Sequence, residues 1–199
     1  MSSSFEPKRQ NESLESKIVV ALERITEAFR VLLWNEGKES SLSPIQIQLL
    51  IFIKFHQPFQ CKVGYLAKEF NLTKATVSES LKTMFRKELI EKQPDPNDSR
   101  SYSIKLSSKG SILASHSSLF AENLHFPLSN LSSNQKNVMY DGLIKLIHDL
   151  HTSGIISLQR MCYSCNYHQT TKDGSYCKLL KKNLANNEIR IDCPEHESI

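Results

Sequence analysis

The chain has 199 residues, 39% hydrophobic and 23% charged, the balance of a globular protein rather than of a disordered or membrane-embedded one. No run of 18 apolar residues offers a membrane span, and residues 1–13 lack the apolar centre of a secretory signal, so a cytoplasmic protein with reduced thiols is expected. The net charge of +4 is concentrated between Gln60 and Ile112, where ten Lys or Arg stand against six Asp or Glu. A basic excess confined to one module suits a polyanionic partner.

Residues 1–12, rich in Ser, Glu and Asn, are expected to be disordered. Over 14–34, Ile18, Leu22, Ile25, Phe29 and Leu32 recur at alternating steps of four and three. They form one apolar stripe of a helix, for a core or for a dimer partner. Residues 35–41 read as a loop. Ser43-Pro44-Ile45-Gln46 opens a second helix: Pro44 is tolerated at the first position, where its missing N–H has no partner, and Gln46 is placed to reach back as half of a capping box. Leu49, Leu50, Ile53 and Phe55 make that helix apolar over a broad, buried face. His56-Gln57-Pro58 breaks it.

A short helix over 63–70 places Val63, Leu66, Ala67 and Phe70 on one side. Asn71-Leu72-Thr73 then turns the chain, since Asn tolerates left-handed backbone and Thr73 caps the next helix. In that helix Val77, Leu81, Met84 and Phe85 face inward, leaving Lys74, Thr76, Ser78, Glu79 and Lys82 outward. Residues 89–93 read as a strand, 94–98 as a tip and 100–106 as a returning strand with Tyr102, Ile104 and Leu106 on one side. Two short helices across a three-residue turn, followed by a hairpin, outline a winged helix-turn-helix. Further on, Ser107 or Ser108 caps a helix over 109–124 that Phe126-Pro127 ends. Ser132 or Ser133 starts a last long helix carrying Val138, Leu143, Leu146, Ile147 and Leu150, which Gly154 ends or interrupts.

Several of these residues together resemble the MarR family of bacterial transcription regulators: Leu42-Ser43-x-x-Gln46, Leu66-Ala67, Thr76-Val77-Ser78, Leu89-Ile90, Asp95-Pro96-x-Asp98-x-Arg100-Ser101 and Leu106-Ser107-x-x-Gly110. The resemblance covers about residues 14–155. It implies a mainly α protein with a small β-wing, acting as a homodimer whose N- and C-terminal helices interlock. The divisions expected are a dimerisation helix over 13–41, a winged helix over 42–108, further dimerisation helices over 109–158 and a Cys-rich extension over 159–199. Two positions depart from the family pattern: Glu88 stands where Gly is usual, and Ser99-Arg100 replaces the usual pair of arginines in the wing. The family also often binds a small effector in a cleft.

On this reading the partner is double-stranded DNA, with two half-sites roughly 34–36 Å apart in an imperfect palindrome. Lys74 and Lys82 are expected on phosphates, and Thr76, Ser78 and Glu79 on base edges. Arg100 is expected in the minor groove, where the potential is most negative, with Asp98 orienting its guanidinium.

The cysteines of the extension are spaced Cys162-x2-Cys165-x11-Cys177-x15-Cys193, while Cys61 lies apart and reads as a small buried residue. Four thiolates suit a tetrahedral zinc ion, with an iron–sulfur cluster as the alternative. His168 and His196 are left outside the ligand set. The extension is too poor in apolar residues to fold alone, and such modules usually need a staple. A metal or redox change there could reach DNA affinity through the last long helix, making the protein a sensor; a purely structural zinc is the rival. A Cys-x2-Cys thiol oxidoreductase is a further alternative, but the strand-and-helix context that activates such a pair is not visible. No paired carboxylates, nucleophile–base pair or Gly-rich phosphate loop suggests an enzyme.

Overall fold

The structure, a computed structural model, describes residues 3–95, 98–157, 160–172 and 174–199; the side chains of 99 and 100 are also outside the description. It is mainly helical with two small antiparallel sheets, and the chain forms two compact units. One comprises Met1–Phe55, Ser80–Glu91 and Lys105–Asn123, the other His56–Glu79, Lys92–Ile104 and Leu124–Ile199.

In the first unit, residues 3–12 form successive turns and Ser13 caps α1 (Leu14–Ser40) by accepting from the Ser16 N–H. The loop expected at 35–41 is therefore the last part of a helix. Gly37 permits this, because a Cβ there would stand 2.5 Å from the Leu42 carbonyl oxygen, so the returning chain closes directly on the helix. Ser41 then ends α1 in left-handed backbone. α2 (Pro44–Phe55) begins as its sequence implies: the Ser43 N–H donates to Gln46 Oε1 at 3.0 Å. Ile47, Leu49 and Leu50 are fully buried, and α2 packs on α1 and on α5 (Ser108–Ser117). Ser107 caps α5 by accepting from the Gly110 N–H.

The helix expected over 109–124 stops at Ser117. Ser115 and Ser118 turn their hydroxyls onto backbone carbonyls, and Ser117 donates to Glu36 at 2.5 Å, so the serine run offers the backbone alternatives to a continued helix. Phe126 and Pro127 do not end a helix either. They lie in the first turn of α6 (His125–Ser129), where a proline sacrifices no intrahelical bond.

The second unit holds a 3-10 turn at Pro58–Cys61, then α3 (Val63–Glu69) and the start of α4 (Lys74–Arg86). Burial pushes the Cys61 thiol up to about 11, as expected of an inert interior cysteine. The wing pairs β1 (Ile90–Asp95) with β2 (Asp98–Leu106). Pro94, Asp95 and Asp98, assigned to the tip by sequence, belong to the strands; both strands of a two-stranded sheet are edge strands, where proline is tolerated; residues 96 and 97 lie outside the description. α7 (Ser133–Thr152) opens with a full capping box between Ser132 and Gln135. It closes on Gly154 at φ 77°, with the Ile155 N–H returning to the Leu150 carbonyl.

The extension folds into a sheet of β3 (His168–Thr171), β4 (Gly174–Cys177) and β5 (Lys182–Leu184), in that order. It has a core after all, because Met161, Leu184 and Ile189 close over Ile144 of α7. Its few apolar residues suffice because α7 supplies the other half of the contact. Among the described residues no helix is long and apolar enough to cross a membrane.

Candidate nucleic-acid interface and cysteine cavity

The helix-turn-helix is built by local rules. Asn71 adopts φ 50°, and the Leu72 N–H returns to the Ala67 carbonyl at 2.8 Å, closing α3 in a left-handed cap. Thr73 Oγ1 accepts from the Thr76 N–H at 3.1 Å and so starts α4. Val77, Leu81 and Met84 are buried and Phe85 is half-buried. Lys74, Thr76, Glu79 and Lys82 are exposed and Ser78 is half-buried, so the five α4 residues among those expected to meet DNA lie off the buried stripe.

The wing is tied back onto the same unit. Lys62, directly before α3, donates from Nζ to Asp95 Oδ2 at 2.8 Å and to Ser101 Oγ at 3.0 Å, one partner on each strand. Lys92 Nζ stands 4.5 Å from the centre of the Tyr102 ring. Sequence reasoning missed Lys62, since a lysine before a short helix carries no signal of a partner 33 residues away. Asp98 is exposed at the start of β2. The Arg100 side chain, and with it the expected pairing to Asp98, lies outside the described residues.

The four cysteines of the extension line one cavity, together with His168 and Arg190. The CxxC pair sits on a 3-10 turn at Cys162–Ser164, Cys177 ends β4, and Cys193 lies in the C-terminal segment. The cavity volume is ≈ 30 Å³, space for an ion or a water or two and not for an organic ligand. The Arg190 N–H donates to Cys162 Sγ at 3.3 Å, and its guanidinium lies 3.5 Å from Cys193 Sγ. Burial raises the Cys162 thiol, the neighbouring Cys165 and Cys177 raise it further, and Arg190 offsets part of the effect. Burial also raises Cys193. A thiol raised in this way is a weaker nucleophile than one activated by a lowered pKa. Among the described residues no three His, Cys, Asp or Glu side chains are arranged closely enough to ligate one ion. The four sulfurs thus share a cavity without closing on a common centre. His168 bonds Ser175 Oγ through Nε2 at 3.1 Å, and His196 bonds the Ser164 carbonyl, so both histidines have other work.

An unforeseen group of charges lies beside the cavity. Arg160 Nη1 donates to Glu69 Oε2 of α3 at 2.5 Å and Nη2 to Oε1 at 3.1 Å. The same guanidinium takes Asp192 through Nε at 2.7 Å and Nη2 at 3.0 Å. Burial would lower the arginine's pKa, but hydrogen bonds to Asp192, Glu69 and Tyr65 outweigh it and hold it above its usual value. His56 and Arg160 hold the Asp192 carboxyl well below the ordinary carboxylate range, the His56 bond contributing most.

A capped outer helix behind a left-handed turn, followed by a two-stranded wing, defines a winged helix-turn-helix protein. Residues 40–101 match the model of the MarR family. The chain is also similar to solved structures of MepR from Staphylococcus aureus. One is the MepR–DNA complex, 25% identical with a TM-score of 0.58 over 66% of this chain and 97% of that one. Another is MepR in its DNA-binding conformation, 25% identical with a TM-score of 0.58 over 67% and 98%. A third is MepR described as a transcription regulator of the multidrug efflux pump MepA, 24% identical with a TM-score of 0.52 over 65% and 96%. No curated protein matches the chain.

Proposed function

We propose that the chain is a DNA-binding transcriptional regulator that acts as a homodimer on a palindromic operator and holds a zinc ion in its four-cysteine extension. The observation that carries the first part is the outward polar face of α4, followed along the chain by a wing that Lys62 bonds on both strands. The likeness to MepR solved on DNA supports it. Lys74 and Lys82 neutralise phosphates, Thr76, Ser78 and Glu79 read base edges, and Arg100 enters the minor groove with Asp98 beside it.

The dimer is supported by apolar faces left open in the single chain. On α1, Ile18 is 48% and Ile25 42% exposed, and on α7 Val138 is 65% exposed. A second copy of the chain covers these faces, as the family resemblance implies.

Zinc is supported by the donor set and by the size of the cavity. Four sulfurs around ≈ 30 Å³ leave room for an ion, and binding would draw them to about 2.3 Å from the metal while releasing their protons. An iron–sulfur cluster uses the same donors, so elemental analysis with an absorption spectrum of anaerobically prepared protein separates the two: a colourless protein with one zinc per chain is expected.

The test of the DNA reading is fluorescence anisotropy against duplexes selected from a random pool. Tight binding to a palindrome is expected, with affinity falling steeply as salt rises and with Lys74→Ala and Lys82→Ala each reducing the salt slope by about one. Arg100→Ala should weaken binding at least about tenfold while leaving the melting temperature unchanged. Indifference to every duplex at low ionic strength would overturn the reading.

A further inference from the structure

The extension and Ser157, shortly before it, are bonded to the helix-turn-helix segment of the chain at three places, all within one compact unit. The first is the Arg160 fork, which grips Glu69 in the last turn of α3 and at the same time Asp192 of the extension. Its Nη1 also reaches the Tyr65 hydroxyl at 3.3 Å, one helical turn earlier on α3. The second is Asp192 Oδ2, 3.0 Å from His56 Nε2, just ahead of the 3-10 turn that leads into α3. The third is Asn71, the left-handed residue of the turn itself, whose Oδ1 accepts from both the N–H and the hydroxyl of Ser157.

The same residues are bonded to the cysteines through the backbone. The Cys193 N–H donates to the Arg160 carbonyl at 2.9 Å, and the Cys162 N–H to the Arg190 carbonyl at 3.0 Å. Arg160 and Asp192 form a parallel β-bridge. Arg160 therefore stands two residues before Cys162, and Asp192 one before Cys193, with a peptide hydrogen bond locking the two segments together. The backbones of Cys162 and Cys193 are thus bonded directly to the two segments that carry the fork. Arg160 is only 11% exposed at its side chain and Glu69 16%, so this pair is shielded from the competition with water that makes surface ion pairs weak.

We infer that occupancy of the four-cysteine cavity by zinc controls DNA affinity through the Arg160 fork, which fixes the end of α3 and the turn from which α4 projects. The inference rests on the reading of the cysteines as an ion site and of α4 as the DNA reader. It adds the route, which is a direct clamp on the helix-turn-helix rather than a rearrangement of the helices expected in the dimer interface. Closing the sulfurs on the ion orders the bridge between Arg160 and Asp192. That holds both acceptors of the fork in place, and the turn at Asn71 is held with them. Without the ion the bridge loosens and the turn samples other poses, so the bound conformation becomes a smaller fraction of the population. Arg160 and Asp192 are positioning residues in this scheme; neither touches DNA.

The experiment uses the full chain, zinc-loaded or stripped with a chelator, and a labelled duplex selected from a random pool by the zinc-loaded wild type. Zinc content is measured on every sample. In the wild type, stripping should weaken duplex binding by about tenfold. Glu69→Gln lies at the far end of the fork and leaves the cysteines untouched. It should keep one zinc per chain and lose the zinc dependence of DNA binding, the two forms agreeing within about twofold. Arg160→Met is the second variant and should behave alike. Hydrogen exchange provides a readout independent of DNA: loading zinc should protect amides of residues 69–73 in the wild type and not in Glu69→Gln.

Equal DNA affinity with and without zinc in the wild type, or a Glu69→Gln protein that still responds to zinc, overturns the inference and leaves the zinc site standing as a structural staple. A wild type that takes up no zinc removes the ion site and the inference together. One that takes up zinc and gains protection at 69–73 but ignores every duplex removes the DNA reading and with it the effect on affinity.

Discussion

Glu88 stands in left-handed backbone, φ 58°, at the end of α4, where the family pattern that the sequence resembles has glycine. The cap it makes is the glycine cap: the Leu89 N–H returns to the Met84 carbonyl at 3.0 Å and the Glu88 N–H to Phe85 at 2.9 Å. A side chain in this conformation costs about 1 kcal/mol, because its Cβ crowds the following carbonyl. Glu88→Gly relieves that crowding but also loosens the unfolded chain, so a net gain of about 0.5 kcal/mol is expected, read as a rise in melting temperature. A fall would mean that the glutamate side chain contributes more than its backbone costs. Gly110 is the opposite case. Its Cβ would sit 1.8 Å from the Leu89 carbonyl oxygen, so α5 approaches the strand start at a distance only glycine allows. Gly110→Ala should destabilise by about 3 kcal/mol in chemical denaturation, through forced separation of packed backbone. The close approach supplies a physical reason for the glycine in the Leu-Ser-x-x-Gly pattern, which the sequence could present only as a resemblance.

At the scale of elements, the wing depends on a residue outside it. Lys62 holds β1 through Asp95 and β2 through Ser101. Removing its charge frees the wing without touching the apolar core. Lys62→Met should therefore weaken duplex binding several-fold, with about the same far-UV spectrum and melting temperature as the wild type. An unchanged affinity would mean that the Lys62 bonds do not set the pose of the wing. The helices differ in how far their ends can be read from sequence. α2 and α7 open where their caps are written, at Ser43-Pro44 and at Ser132-x-x-Gln135, because a cap involves four neighbouring residues. α1 outruns its expected end and α5 falls short of it. The α5 end is set by a partner distant in sequence, the Glu36 carboxylate bonded to Ser117, whereas α1 ends in a local left-handed cap that the close approach of Leu42 to Gly37 allows.

For the whole molecule, the open apolar faces are the feature that a single chain leaves unexplained. Phe29 still packs edge-on against Phe120, yet most of the α1 stripe faces outward. If a second copy covers it, sedimentation equilibrium should return about twice the chain mass, and Ile25→Glu should shift the protein toward monomer while abolishing tight binding to a palindrome, whose two half-sites need two linked readers. A dimer that survives the substitution would move the contact to another face.

Sequence by itself determined what depends on neighbours along the chain: the helical stripes, the cap at Thr73, the left-handed turn at Asn71, the hairpin and the buried side of α4. It also placed Lys74, Thr76, Ser78, Glu79 and Lys82 outside that buried side, because a helix of known phase assigns every residue a direction. Tertiary structure placed the four cysteines, which their spacing over 32 residues had suggested as one donor set, around one cavity without closing them on a common centre. It alone showed that the extension completes its core on Ile144, and that Arg160 joins Asp192 to Glu69 across separations of 32 and 91 residues. Pairings of that range leave no periodicity and no local motif, since they are fixed by the path of the chain between the partners and not by the residues beside them.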